Sequence, residues 1–291
     1  MQRDLVERLV GGVLFLAGAS SILVTAAIVF VLCYESFGFF SHVGWEFFTE
    51  TRWTPQFANP KYGIWPLVCG TAMTTLVALA VALPIGSVVA LYLSEFAPFT
   101  LREIIKPLLE LLSAVPTVVY GYFALQFVGP LLKQIIPGLP TFNILSAGIV
   151  MGIMIIPYVS SLSEDAMRSV PMLLREGSYA LGGNKLVTAL NVVVPSSLSG
   201  VGAAYILGIS RAIGETMIVA IAAGMQPNLT LNPTEPAATI TAYIVQVSLG
   251  DVPHGSIGYQ SIFAAGFTLF CLTLVFNVLG HLLRRRFHQA Y

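Results

Sequence analysis

The feature of this sequence that most limits its fold is the length of its uncharged runs. An α-helix needs about 20 apolar residues to cross roughly 30 Å of hydrocarbon. Helices suit that environment because every backbone polar group must find its partner within the chain. Runs without Asp, Glu, Lys or Arg that are long enough include 13–34, 64–94, 144–163, 186–210 and 255–280. The sequence therefore predicts an all-α membrane protein.

A sixth span is predicted from Pro107 to about Leu132, with Glu110 near one end. We expect the first span to be a retained helix rather than a signal peptide. Its apolar core exceeds the usual ~7–15 residues, and no small-residue cleavage site follows it. The six transmembrane helices are predicted at about 12–34, 65–93, 108–131, 144–162, 196–223 and 259–282.

The composition excludes several classes of protein. Of the 291 residues, 56% are hydrophobic and 10% are charged, whereas soluble domains carry about 25% charged residues. The chain has too few charges to cover a soluble surface and is too hydrophobic for intrinsic disorder. Its 14 Lys and Arg balance 14 Asp and Glu, which argues against nucleic-acid binding. The lipid bilayer is the expected surrounding.

The positions of Lys and Arg predict the orientation of the chain, because cytoplasmic segments are enriched in these residues. Placing the N-terminus inside puts three cations, Arg52, Lys61 and Lys133, in the outer segments. Both termini are therefore predicted to be cytoplasmic. The inner segments then hold ten cations: Arg3, Arg8, Arg102, Lys106, Arg168, Arg175, Lys185, Arg284, Arg285 and Arg286.

The predicted outer segments are rich in aromatic residues. Trp and Tyr favour the headgroup zone, so we interpret the aromatic residues of 35–62 as an interfacial belt rather than a ligand cage. Residues 237–249 are mildly apolar and could form a short helix on the outer face. The aromatic set is Phe37, Phe39, Phe40, Trp45, Phe47, Phe48, Trp53 and Phe57.

The motifs of common catalytic sites are missing from the sequence. It has no G-x-x-x-x-G-K-[ST], G-x-S-x-G or H-E-x-x-H string. The three Cys and four His lack metal-ligand spacing. We therefore expect no enzyme activity, no metal and no cofactor. Any energy for transport would come from an ion gradient or from a partner protein.

The most informative charges are Arg211 and Glu215, which lie within the fifth predicted span. Their spacing of four places both on one face of a continuous helix, and a charge near the bilayer centre costs ~3 kcal/mol. One interpretation is a salt bridge that only neutralises both groups. We favour the other, a polar substrate path that includes Thr216. For an anion, Arg211 would be the ligand, and Glu215 would hold Arg211 while the site is empty.

Small residues recur at every fourth position through the same span and predict close helix packing. The fourth span carries a similar pair, Gly148 and Gly152. The stripe consists of Gly200, Ala204, Gly208, Ala212, Thr216, Ala220 and Gly224.

The longest inner segment, about 164–195, contains a second candidate site. Pro171 and the pair Gly182-Gly183 bracket a short helical stretch, since Pro begins helices well and Gly ends them. The stretch could be a docking surface for a partner or an ordinary connector. Its candidate docking residues are Arg175, Glu176, Gly177, Ser178, Ala180 and Gly182.

This segment resembles the EAA loop of ABC-importer permeases, E-A-A-x3-G-x9-I-x-L-P. Glu176, Gly182 and Pro195 fall in register, while Gly177-Ser178 replaces Ala-Ala. Further strings resemble motifs of the permeases of phosphate-specific (Pst) ABC importers, of the PstC type. These strings are 113–121, 155–157, 163–167 and 210–217.

The resemblance implies a type I ABC-importer permease fold and import of inorganic phosphate by alternating access in a bacterial cytoplasmic (inner) membrane. It also implies three partners: a sister permease (PstA-type), ATPase subunits (PstB-type) that the EAA loop contacts, and an extracytoplasmic phosphate-binding protein (PstS-type). Residues 1–63 would be an N-terminal helix with an aromatic loop, and 64–291 a five-helix core. A permease for another oxyanion, such as sulfate or molybdate, and a secondary transporter or channel are the alternatives.

Overall fold

The long uncharged runs of the sequence form helices. The computed structural model describes residues 2–250, 252–253 and 255–287, without the side chains of 2–6, 8 and 283–287. Five of the ten predicted inner cations (Arg3, Arg8, Arg284, Arg285 and Arg286) therefore have side chains outside the described part. The α-helices are α1 (Gln2–Val43), α2 (Glu46–Thr49), α3 (Trp65–Leu91), α4 (Phe99–Ala114), α5 (Thr117–Phe123), α6 (Gly129–Ile135), α7 (Ile144–Arg168), α8 (Met172–Ala180), α9 (Lys185–Thr188), α10 (Val194–Ser196), α11 (Leu198–Ile213), α12 (Met217–Ala222), α13 (Ile240–Ser248) and α14 (Ile257–Phe287).

By length and apolar composition, four of the described helices are able to cross a membrane, and the number rises to six if each of two bent pairs is one span. The six predicted spans match this upper count. The four unbroken spans are Leu9–Val43, Trp65–Phe96, Ile144–Arg168 and Ile257–Leu282.

The third predicted span, 108–131, is not one straight helix. Its first residues belong to α4, and the following helical segment Thr117–Ile135 is turned from α4 by 88°. The bend lies at Val115-Pro116, where both residues have extended ψ angles. Proline has no N–H for the α-helical ladder and disfavours helical geometry in the residue before it.

The fifth predicted span, 196–223, is also wrong as a continuous helix. The segment Lys185–Ser196 meets α11 at 70°. After α11 ends at Ile213, Gly214 to Thr216 are non-helical, and α12 begins at Met217. The helix axis is therefore interrupted between Arg211 and Glu215.

Close contacts between α3 and α7 form the centre of the bundle, as the small residues of the fourth span predict. An added Cβ at Gly148 would lie 2.6 Å from Val77 Cγ1, and one at Gly152 would lie 2.7 Å from the Ala78 carbonyl oxygen. Without side chains at these glycines, the two helices approach closely and run in the same direction. The fully buried residues of α7 include Val150, Met151, Ile155 and Val159.

Part of the aromatic segment before α3 forms a buried cluster, whereas Phe37, Trp45, Phe48 and Phe57 are exposed. Phe39, Phe47 and Trp53 are buried, and Trp53 packs edge to face on Tyr243 of α13 at 4.9 Å between ring centroids. The belt interpretation is wrong for these three residues because they are shielded by protein. The predicted short helix in 237–249 is confirmed as α13.

Candidate substrate site and docking loop

The break between α11 and α12 is shaped by the Glu215 side chain. Its Oε1 atom accepts hydrogen bonds from the backbone N–H groups of Met217 at 3.1 Å and Ile218 at 3.4 Å. The first N–H groups of a helix have no partner within the helix, and a carboxylate there also interacts favourably with the helix dipole. Glu215, which is 5% exposed, therefore stabilises the start of α12.

A second contact ties this break to α13. The hydroxyl of Thr241 donates to the Glu215 carbonyl oxygen at 2.7 Å, across 26 residues of sequence. Thr241 is buried, and its hydroxyl also lies 3.0 Å from that of Thr239. In a continuous helix, the Glu215 carbonyl oxygen would accept a hydrogen bond from a later backbone N–H. Here it accepts one from the hydroxyl of Thr241 in α13 instead.

Arg211 lies in the last turn of α11 and faces α7. Its Cζ atom is 5.0 Å from the centroid of the Tyr158 ring, and its Nη2 atom is 4.0 Å from Met154 Sδ. The Nε atom is buried and has no hydrogen-bond partner in the described part of the chain.

The contact between Glu215 and Arg211, which one interpretation of the sequence gave as a neutralising salt bridge and the favoured one used to hold Arg211, is not formed among the described residues. Among the described residues, no carboxylate lies within 4.0 Å of the guanidinium, and Glu215 Oε1 instead accepts the N–H groups of α12. The prediction assumed an unbroken helix, which would place both side chains on one face. Interrupting the helix at Gly214 separates them.

This arrangement leaves a half-buried cation with unused hydrogen-bond donors. A guanidinium offers five N–H donors in a planar fork that fits carboxylate and phosphate oxygens. The structure assigns only one of them, to a sulfur at 4.0 Å. Because burying a charge without a partner is costly, the site is suited to an anion that supplies the missing acceptors.

Thr216, the third predicted path residue, is half-buried at the same break. Its hydroxyl lies 3.3 Å from the Gly214 carbonyl oxygen. The structure therefore brings Arg211, Glu215 and Thr216 to one interruption of the helix. The Glu215 carboxylate already accepts two backbone N–H groups, whereas the Arg211 guanidinium faces no carboxylate among the described residues.

The predicted helix in the long inner segment is confirmed as α8, which follows Pro171 and is succeeded by Gly182 with a positive φ of 85°. The surface of this region is apolar and open. Leu173 is 78% exposed and Leu181 is 92% exposed. Glu176, Gly177 and Ala180 are also exposed, so these positions are accessible to a partner.

Two other candidate docking residues of α8 face inward. The Arg175 guanidinium donates to Glu95 Oε1 at 3.0 Å and to the Met167 carbonyl oxygen at 2.9 Å. The Ser178 hydroxyl lies 2.8 Å from that of Thr188. Arg175 therefore holds α8 against the ends of the second and fourth spans, and Ser178 ties α8 to α9. Neither side chain is presented as a docking surface.

A buried ion-pair cluster near the same end was missed by the sequence analysis. Glu164 is 0% exposed and accepts from Arg102 at 2.7 Å and from Lys106 at 2.8 Å. Arg168 approaches it at 3.8 Å, and Lys106 also pairs with Asp165 at 2.6 Å. A local signal existed in the four-residue spacing of Arg102 and Lys106, which puts both on one face of α4.

The described residues contain no group of three or more His, Cys, Asp or Glu side chains that could hold a metal ion.

Comparison with known families gives a match over residues 82–289 to the model described as "Binding-protein-dependent transport system inner membrane component". One relative, "Probable ABC transporter permease protein YqgH" of Bacillus subtilis, is 34% identical over 241 residues, which are 83% of this chain and 78% of the relative.

Two further relatives carry the name "Phosphate transport system permease protein PstC". The protein of Xylella fastidiosa strain 9a5c is 34% identical over 263 residues, covering 84% of this chain and 79% of the relative. That of Haemophilus influenzae is 30% identical over 284 residues, covering 91% of this chain and 89% of the relative.

Two solved structures share the fold. The MetNI methionine ABC transporter aligns with a TM-score of 0.57 and 16% identity, over 78% of this chain and 95% of the solved chain. A bacterial ABC transporter involved in alginate import aligns with a TM-score of 0.58 and 15% identity, over 77% of this chain and 79% of the solved chain.

Proposed function

The chain belongs to the family of inner-membrane components of binding-protein-dependent transport systems, and from this premise we propose that it is the permease subunit of an ATP-driven phosphate importer. It would move inorganic phosphate across the bacterial cytoplasmic membrane by alternating access. The names of the PstC relatives and the likeness to ABC-importer structures support this proposal.

The observation that carries the proposal is the Arg211 guanidinium, which is half-buried and faces no carboxylate among the described residues. A phosphate ion that enters the bundle loses hydration and needs strong donors in return. The guanidinium fork can supply two parallel charge-assisted hydrogen bonds to two of its oxygens. Arg211 is therefore the proposed phosphate ligand.

Glu215 and Thr216 have supporting parts in this proposal. Glu215 accepts hydrogen bonds from two backbone N–H groups at the start of α12. These bonds stabilise the break between α11 and α12 beside Arg211. Thr216 places a half-buried hydroxyl at the same break, where it can donate to a phosphate oxygen or accept from a protonated one.

We also propose that the chain works with a sister permease, two ATPase subunits and an extracytoplasmic phosphate-binding protein. ATP hydrolysis would belong to the ATPase subunits, which would contact the exposed surface of α8 at Leu173, Glu176 and Leu181. The exposure of these side chains supports that contact.

The proposed division of the chain has an accessory part at 1–63 and a permease core at 64–291, with both termini cytoplasmic. The family match begins at residue 82, within the core. α1 packs mainly on α14, so the accessory helix lies beside the last helix of that core.

The test of the proposed site is Arg211→Ala in the reconstituted complex, with Arg211→Lys as the charge-conserving variant. Each charge-assisted hydrogen bond is worth ~1.5–3 kcal/mol, so losing two lowers radiolabelled phosphate uptake by about 100-fold or more. Lys retains a point charge without the fork and is expected to be intermediate. Competition by sulfate and molybdate then measures the preference for phosphate.

The matched control is Arg52→Ala, which removes an exposed arginine from the loop before α3. We expect near-normal uptake from it. Wild-type uptake by Arg211→Ala, in a complex that still contains all its subunits, would show that Arg211 is not the phosphate ligand.

A further inference from the structure

We propose that Tyr158 is a positioning residue for the anion site. The face of its ring holds the Arg211 guanidinium in the unloaded protein and leaves the N–H donors free for phosphate. This inference rests on the proposed role of Arg211, and it assigns to the aromatic ring the holding function that the sequence analysis gave to Glu215.

Tyr158 is presented by a rigid part of the bundle. It follows Pro157 in α7, and its neighbours Ile155 and Val159 are fully buried. An added Cβ at Gly208 of α11 would lie 3.1 Å from Val159 Cγ2. α7 and α11 are thus in close contact one turn away from Arg211, and this contact fixes the distance between ring and guanidinium.

The elements around Arg211 offer few other groups that could compensate its charge. α11 packs on α3, α7 and α14, and the runs 64–94, 144–163 and 255–280 of these helices contain no Asp or Glu. Glu215 Oε1 accepts the N–H groups of α12. In the part of the chain that the structure describes, the negative face of the Tyr158 ring is the group that remains, apart from the weakly accepting Met154 sulfur.

An aromatic ring suits this purpose better than a carboxylate. A carboxylate would engage the N–H fork and would have to be displaced before an anion could bind. A cation–π contact instead draws the cation to the electron density of the ring face. With Cζ at 5.0 Å from the ring centroid, Arg211 is held in place, and a phosphate ion can bind without breaking an ion pair.

The experiment replaces Tyr158 with phenylalanine and then with phenylalanines that carry one, two and three ring fluorines. Fluorine withdraws electron density from the ring face at nearly constant shape, so packing is retained while the cation–π attraction fades. Phosphate uptake by the reconstituted complex is expected to fall with each added fluorine, by about two- to thirty-fold across the series. Tyr158→Leu should match the end of the series.

The matched control is the same series at Tyr205, which is half-buried on α11 and hydrogen-bonds through its hydroxyl to Ser87. There, the fluorinated variants should transport like their own phenylalanine parent. A flat response at Tyr158, with Arg211→Ala still inactive, would overturn the positioning role alone. Normal uptake by Arg211→Ala would instead overturn the proposed site together with this inference.

Discussion

At the scale of single residues, two buried or half-buried charges differ in whether an opposite charge lies beside them. Glu164 is surrounded by Arg102, Lys106 and Arg168, so its charge is compensated several times over. Among the described residues, Arg211 meets an aromatic ring and a sulfur atom but no carboxylate. The first arrangement joins helices, because its partners come from α4 and α7, whereas the second leaves a cation able to bind an ion from outside the chain.

The role of Glu164 is tested by Glu164→Gln. Gln keeps the shape but removes the charge that balances Arg102 and Lys106, and breaking a buried ion pair costs ~3–5 kcal/mol. We expect a clearly lower melting temperature of the detergent-solubilised complex. Glu103→Gln, on the exposed side of α4, is the control with little expected change, and equal melting temperatures would contradict a structural role for the cluster.

At the scale of elements, the broken helices place the polar groups. The 88° bend at Pro116 turns α4 away from the segment that follows it. The N-terminal half of α4 meets the C-terminal end of α7 at Glu164. The interruption at Gly214 turns Glu215 away from Arg211. In α8, by contrast, an unbroken short helix is held by Arg175 on one side and exposes leucines on the other.

The proposed docking surface of α8 is tested by Leu173→Ser. Burying a leucine in an interface is worth ~1.5–3 kcal/mol, so the variant should bind its ATPase partner about ten- to hundred-fold more weakly. The amount of ATPase that co-purifies with the permease measures this. Leu231→Ser changes a leucine of the same 78% exposure in the segment between α12 and α13, and it should not affect co-purification. Equal retention of ATPase by both variants would place the contact elsewhere.

At the scale of the whole molecule, the apolar surface of the single chain is extensive. None of the residues in the most apolar stretch of α1 is buried, and 17% of those in the most apolar stretch of the last span are buried. α4 has no buried residues among those described. Lipid and the proposed sister permease would cover such surfaces. Exposed apolar surfaces of this extent fit a subunit that completes its fold within a membrane complex.

The proposed orientation is tested by single cysteines in a chain whose three native cysteines have been replaced. Gln56→Cys and Gly177→Cys lie at exposed positions at opposite ends of the bundle. With the N-terminus inside, a membrane-impermeant maleimide added to intact spheroplasts should label position 56, whereas position 177 should react only after permeabilisation. The reverse pattern would invert the topology.

Local properties allowed much of the architecture to be predicted. Uncharged length identified five of the six candidate spans because transfer into hydrocarbon depends on composition along a short window. Pro171 and Gly182 identified α8 because helix ends follow local backbone preferences. The small residues Gly148 and Gly152 indicated a packed face, which proved to be the contact with α3.

The amino-acid sequence by itself determined that this chain is a helical membrane protein with a short helix between Pro171 and Gly182. Only the tertiary structure decided the partners of the charges, since Arg102 and Glu164 are 62 residues apart and Arg211 reaches Met154 across 57. It also decided the break at Gly214, where Thr241 satisfies the Glu215 carbonyl from another element. Hydrophobicity and capping act over a few neighbouring residues, whereas charge pairing depends on which helices meet in space.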